Sequence, residues 1–271
     1  MQQRREQPRL GTLKVYKIIK PTLEEMQIKQ GRDKFFNTMR ENRMLIQKKK
    51  CFHKTTDSNH WFRKYPNLIK GKVFSRSEQV WVSDITYIKT ELGHMYLSLI
   101  TDLYSKKIMG SSLSNNLKAE GPIKALKTAL AQRQFNNRKL IHHSDRGFQY
   151  CCDEYIKLLK CNKIEISMTQ SYDPYENAVA ERVNGILKDE YDIGEGFTNE
   201  SIAQREIKHA VRIYNTKRPH MSCDYATPEY AHRHQRHKPK SYSRLLTNSQ
   251  ISTKEKSNKK EKTTLNTTTF N

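Results

Sequence analysis

No stretch of this sequence approaches the roughly 18 consecutive apolar residues that a bilayer-spanning helix needs. Its first ten residues, MQQRREQPRL, lack the apolar core of a secretory leader. A cytoplasmic location is therefore expected. Cysteine is sparse: Cys51, Cys151, Cys152, Cys161 and Cys223 form an odd set without a C-x-x-C pair. A disulfide framework and a zinc ribbon are both disfavoured by that pattern. Cys51, His53 and His60 lie close in sequence but match no zinc spacing, and read as part of a basic connector. No internal repeat is visible. Acidic residues are short by comparison with basic ones, 28 Asp and Glu against 50 Lys and Arg, which gives a net charge of +22. Such a surplus points to a polyanionic partner, with a ribosomal or membrane-surface protein as the blander alternative. The surplus is uneven. Residues 1–79 hold 20 Lys and Arg against 7 Asp and Glu. Binding through phosphates would make the affinity strongly salt-dependent.

A length of 271 residues allows one large domain and a small one. Residues 1–46 read as a small helical domain. Thr22 and Glu25 match a T-x-x-E capping box after Pro21, so a helix is expected to start there. Gly31 breaks the chain, and Asp33 is placed to cap a second helix carrying Phe35, Phe36 and Met39. Two short helices about a glycine suggest a helix-turn-helix-like unit, or equally a small packing bundle. Residues 47–76 read as a basic linker with interleaved aromatics, and 77–238 as the larger domain, an α/β core with C-terminal helices. From Pro239 the chain is rich in Lys, Ser, Thr and Asn and is expected to be a disordered basic tail.

Within the core the pattern is α/β. Residues 80–88, VWVSDITYI, are apolar on both alternating faces, as in a central strand. Strands are expected over 96–102, 107–113 and 139–144, helices over 119–133 and around Tyr155, Ile156 and Leu159. Ile164, Ile166 and Met168 alternate as a short strand. Helices then begin near Ala178 and near Asn199.

Asp84 interrupts the apolar strand, and an ionised carboxylate there is costly unless paired or bound to a cation. Asp145 opens the turn DRG at a strand end, where α/β sheets place their sites, although an ordinary Asp turn looks the same. At ~100° per residue, Glu181 and Lys188 fall within about 20° of each other on a helix. Asn177 and Asn184 project to the same side, with Val179, Val183 and Ile186 opposite. Glu190 falls on the apolar side, where an acid has no evident reason to be. Three carboxylates on separate elements offer the oxygen ligands that hard cations such as Mg²⁺ prefer. Two such ions suit phosphoryl transfer, and that chemistry fits a chain whose charge attracts DNA.

WVSDITYIKT, HHSDRGFQY and DPYENAVAERVNGILKDE resemble the three acidic blocks of the integrase-core superfamily. Thirty-five residues separate Asp145 from Glu181, as in that superfamily's D-D-(35)-E pattern. GRDKFFNTMRENRML, TTDSNHWFRKYPNLIKG and YNTKRPHMSCDYATPEYAH extend the likeness to bacterial insertion-sequence transposases of the copy-out, paste-in kind. The resemblance implies a ribonuclease H-like mixed five-stranded sheet flanked by helices. It implies a transposase that cleaves and joins DNA with Mg²⁺ or Mn²⁺, two ions, held by Asp84, Asp145 and Glu181. Asp84 would bridge both ions. Lys188 corresponds to a basic residue that contacts DNA, and His143 and Asn177 to supporting positions beside the acids; Asn184, on the same side of the helix, is counted with them as DNA-binding. Glu176 stands where such proteins often have Asp. The resemblance further implies element-end and target DNA as partners, a homo-multimer on DNA, and fusion with an upstream-frame DNA-binding protein. A nuclease of the same fold, or a non-enzymatic DNA-binding repressor, are the competing readings.

Overall fold

The computed structural model describes residues 2–46, 63–91, 93–170 and 174–235. The basic tail from Pro239 and the Cys51, His53 and His60 cluster lie outside the described residues. The N-terminal unit contains α1 (Gln2–Glu6), α2 (Thr12–Glu25) and α3 (Arg32–Glu41). The core contains β1 (Val80–Thr90), β2 (Gly93–Asp102), β3 (Ile108–Ser114), α4 (Glu120–Ala131), β4 (Ile141–Ser144) and α5 (Phe148–Cys151). It continues with α6 (Asp153–Cys161), β5 (Glu165–Met168), α7 (Ala178–Glu190), α8 (Glu200–Thr216) and α9 (Pro228–His234).

The five strands form one mixed sheet in the order β3-β2-β1-β4-β5. The first three strands pair antiparallel, and β4 and β5 join in parallel. Period-two alternation sends side chains to two different layers. Trp81, Ile100 and Met109 pack under α4 and α6. Ile88, Leu97, Leu99 and Ile108 pack under α7 and α8. Apolar residues on both faces of the central strands are what a sheet covered on both sides requires. Helix α4 lies so close to β3 that a Cβ on Gly110 would sit 2.1 Å from the Ala125 carbonyl oxygen. The mixed five-stranded sheet expected from the sequence is borne out. Among the described residues no helix is long and apolar enough to cross a membrane.

The N-terminal expectations need correction. Thr22 and Glu25 do not start a helix. They lie in the last turn of α2, which runs through Pro21. Val15 and Tyr16 are the buried anchors of that helix, packed with Phe35 and Met39 in a small core of their own. Tertiary packing thus outweighs the local proline signal. The helix ends where Gln27 turns left-handed and the Ile28 amide reaches back to the Leu23 carbonyl. Asp33 is not a cap either. Gly31 holds that position, and the Asp33 carboxylate pairs with its neighbour Arg32.

The second half of the expected linker is not a solvated connector. Ile69 and Phe74 are buried against Val80, Val82 and Ala180. The Leu68 amide donates to Ser167 Oγ at 2.8 Å, and the Met168 amide to the Pro66 carbonyl. Residues 63–79 therefore strap the parallel edge of the sheet.

Candidate active site

The parallel register of β1 and β4 aligns Val82 with His143. Asp84 and Asp145, each two residues further on, therefore reach the same level at the carboxyl end of β4. Asp84 shares its strand face with Val82 and Ile88, the face that α7 covers. Glu181 lies in the first turn of α7, so the third acid comes from the helix layer that covers this face.

Local chemistry fixes each acid differently. The Asp145 carboxylate folds back to accept the Gly147 amide at 3.0 Å. A Cβ on Gly147 would lie 3.1 Å from that oxygen and 2.9 Å from Gln149 Oε1, so a side chain in the DRG turn would press on the Asp145 carboxylate and displace the Gln149 amide. Asp84 accepts a hydrogen bond from Asn184 Nδ2 at 2.8 Å. Asn177 Nδ2 donates to the Ser83 carbonyl at 3.0 Å. The two amides stitch α7 and the turn before it onto β1. Their Oδ1 atoms are buried without a hydrogen-bond partner. Such acceptors are costly to leave empty.

The acids repel one another. Burial, then Asp145 and Glu181, push the Asp84 carboxyl up to about 7, against the donation from Asn184. Burial and Asp145 also raise Glu181, although its side chain stays exposed. Among the described residues no three His, Cys, Asp or Glu side chains converge closely enough to hold one metal ion. The donor set nevertheless fits a hard dication. It is all oxygen, it carries surplus negative charge, and the repulsion that helps raise its most buried member is what a dication would relieve. Glu181 has the exposed, rotatable side chain that could complete the set.

The polar stripe of α7 differs from the solvated face that its spacing suggests. Asn177 and Asn184 are buried against β1, Glu181 is exposed, and Lys188 is partly exposed two turns along. His143 is fully buried and engaged at both ring nitrogens. Its Nε2–H donates to the Glu176 carbonyl at 2.9 Å, so Nδ1 accepts from Ser167 Oγ at 2.8 Å. Ser167 in turn accepts the Leu68 amide. Burial lowers the His143 ring to about 4, which keeps it neutral. The ring is thus a brace between β4, β5 and the turn that starts α7, not a surface contact for nucleic acid. Glu176 completes the brace. Its carboxylate is buried, accepts the Gln170 amide and faces Lys70 at 3.9 Å. These long-range partners leave no local signal in the sequence.

Glu190 also finds its reason. It bonds Arg218 through both oxygens at 2.7 Å and Lys14 at 2.9 Å, which ties α7, the segment after α8 and α2 together. A second buried cluster anchors α9. His232 lies between Glu78 at 3.1 Å and Asp102 at 3.9 Å, with Ser105 Oγ 3.1 Å from its Nδ1.

Comparison with known proteins decides the family. Two models described as integrase core domain match residues 75–174 and 162–228. An insertion element IS600 protein of 31 kDa from Shigella sonnei is 35% identical over 209 residues, 76% of each chain. The chain belongs to the integrase-core transposases of bacterial insertion sequences. It is thus a polynucleotidyl transferase of the kind that carries out transposition. The transposase InsF for insertion sequence IS3A of Escherichia coli K12 is 34% identical over 165 residues. That match covers 60% of this transposase and 57% of InsF. A chain of the simian T-cell lymphotropic virus intasome superposes with a TM-score of 0.50 at 18% identity, covering 64% of this transposase and 60% of that chain. It shares the fold.

Proposed function

We propose that Asp84, Asp145 and Glu181 are the catalytic acids of this transposase, and that they act on DNA with two divalent cations, Mg²⁺ or Mn²⁺. The observation that carries this reading is the register that brings Asp84 and Asp145 to one level of the sheet, with Glu181 of α7 near enough that the charges raise one another and Asp84 is pushed up to about 7. When bound, the cations would supply charge neutralisation for the attacking and leaving oxygens of an in-line displacement. The residues supply position. Asn184 aims the Asp84 carboxylate, the Gly147 amide aims Asp145, and the buried His143 brace sets where α7 begins. Lys188 offers a cation to a DNA phosphate beside Glu181.

In the first step water adds at phosphorus, the bond to a 3′ oxygen breaks, and that oxygen leaves as a hydroxyl at the element end. In the second step this hydroxyl attacks a target phosphodiester, loses its proton to solvent, and displaces a target 3′ oxygen, which takes a proton. One phosphodiester forms as one breaks. No side chain becomes covalently attached. Preorganised charge and alignment are the whole of the catalytic contribution. DNA ends and target are thus the substrates, multimers of this chain would hold two ends together, and an upstream-frame protein could be fused ahead of it.

The test is joining of an element-end oligonucleotide with Mg²⁺ or Mn²⁺ by Asp84→Asn, Asp145→Asn and Glu181→Gln. Each should lose joining by a hundredfold or more while remaining folded. Near-normal joining by any one variant removes that residue from the site.

A further inference from the structure

Gly185 sits in the middle of α7, one turn after Glu181 and just before Lys188. Apart from proline, glycine is the least favourable residue for a helix interior. The structure gives this one no internal reason. Its backbone is ordinary helix, without the positive φ of Gly71, Gly93 or Gly196. A Cβ built on it would meet nothing within 4 Å, unlike Gly110, where helix and strand touch, or Gly147, where the Asp145 carboxylate turns. At ~100° per residue it lies about 40° from Glu181 on one side, while Lys188 lies about 20° away on the other. Along the helix axis the bare backbone therefore lies between the acid and the lysine, on the flank of Glu181 away from Lys188 and within about 60° of both. A glycine unneeded by conformation or packing is suited to close approach of something from outside the chain.

We infer that Gly185 is the point where the sugar–phosphate backbone of the element end lies directly against α7. This inference rests on the proposed function and adds one positioning residue to it. Without a Cβ, the strand can descend onto the helix, bringing its terminal phosphate to Glu181 while an adjacent phosphate meets Lys188. A side chain at residue 185 would lift the strand off the helix and misplace the reacting phosphorus. Because proximity depends steeply on distance, a displacement of about 1 Å costs on the order of a hundredfold in rate.

The experiment compares the full chain with Gly185→Ala and Gly185→Gln. Melting temperature, affinity for an end oligonucleotide in the presence of Ca²⁺, and joining rate with Mg²⁺ are measured for each. Both substitutions favour helix, so both variants should melt at or above the wild-type temperature. Joining should fall several-fold for Ala and at least tenfold for Gln, and end affinity should weaken in the same order. Wild-type joining by Gly185→Gln overturns the inference. So does lost joining with unchanged end affinity and an altered oligomeric state, which would assign the bare strip to a protein partner. A wild-type chain that binds ends at Gly185 but never joins them would instead count against the catalytic reading alone.

Discussion

Replacing Asp84 with Asn should stabilise the cation-free protein at alkaline pH while abolishing joining. The carboxyl is raised from an ordinary 3.8 to about 7 by burial and by Asp145 and Glu181. A group whose folded value is raised contributes stability that is complete below its unfolded value and lost as pH rises through the folded one. For Asp84 the loss runs from about pH 4 to just above pH 7. Three units at ~1.4 kcal/mol each set an upper bound of about 4 kcal/mol. Asp84 keeps partial exposure, so solvent screening trims this to roughly 2–3 kcal/mol. Asn cannot ionise, and it can still accept from the Asn184 amide. At pH 8 in a chelator the variant should therefore melt roughly 5–10 °C above wild type, and at pH 4.5 the two should nearly coincide. Added Mg²⁺ or Mn²⁺ should raise the wild-type melting temperature at pH 8 and move the variant far less, because only the ionised acid gains a ligand. Thermal denaturation with and without dication across pH 4.5–8.5 measures all of this. A pH-independent gap between variant and wild type, or equal dication stabilisation of both, would refute the reasoning.

Glu190→Gln strips Arg218 and Lys14 of their shared carboxylate in a largely buried site and is expected to cost about 3 kcal/mol in urea denaturation. The exposed neighbour Asp189, changed to Asn, should cost nearly nothing by the same measurement. His232 is raised by Asp102 and Glu78 against its burial, so its contribution is complete below pH 6.5 and fades as pH rises through the higher folded value. His232→Gln should accordingly cost about 3 kcal/mol at pH 6 and less at pH 9, and a loss of equal size at both would contradict the ion-pair account. Lys188→Ala should weaken end-DNA affinity and joining at fixed salt with little change in melting, and Lys188→Arg should restore much of both if charge alone matters. Wild-type behaviour of the Ala variant would take the polar strip of α7 out of the DNA path.

The sequence by itself determined the sheet and the order of the acids. Apolar runs such as VWVSDITYI report burial on both faces, and the D-D-(35)-E spacing survives any rearrangement of loops because it is covalent. The alternation in β5 and the apolar stripe of α7 were legible for the same reason: a period of two or 3.6 is a local property of the chain. The start of α2 was not legible, because packing of Val15 and Tyr16 on Phe35 and Met39 carries that helix through Pro21. Nor were the partners of Glu190, which lie 176 and 28 residues away along the chain. His143 is expected on the DNA side because HHSDRGFQY resembles an acidic block of the integrase-core superfamily. Only the tertiary structure shows it buried between Ser167 and Glu176, bracing the turn that presents Glu181. Residue type and spacing state which groups can do the chemistry. Which atoms face one another is decided by contacts between distant segments, and those depend on the packing of the whole chain.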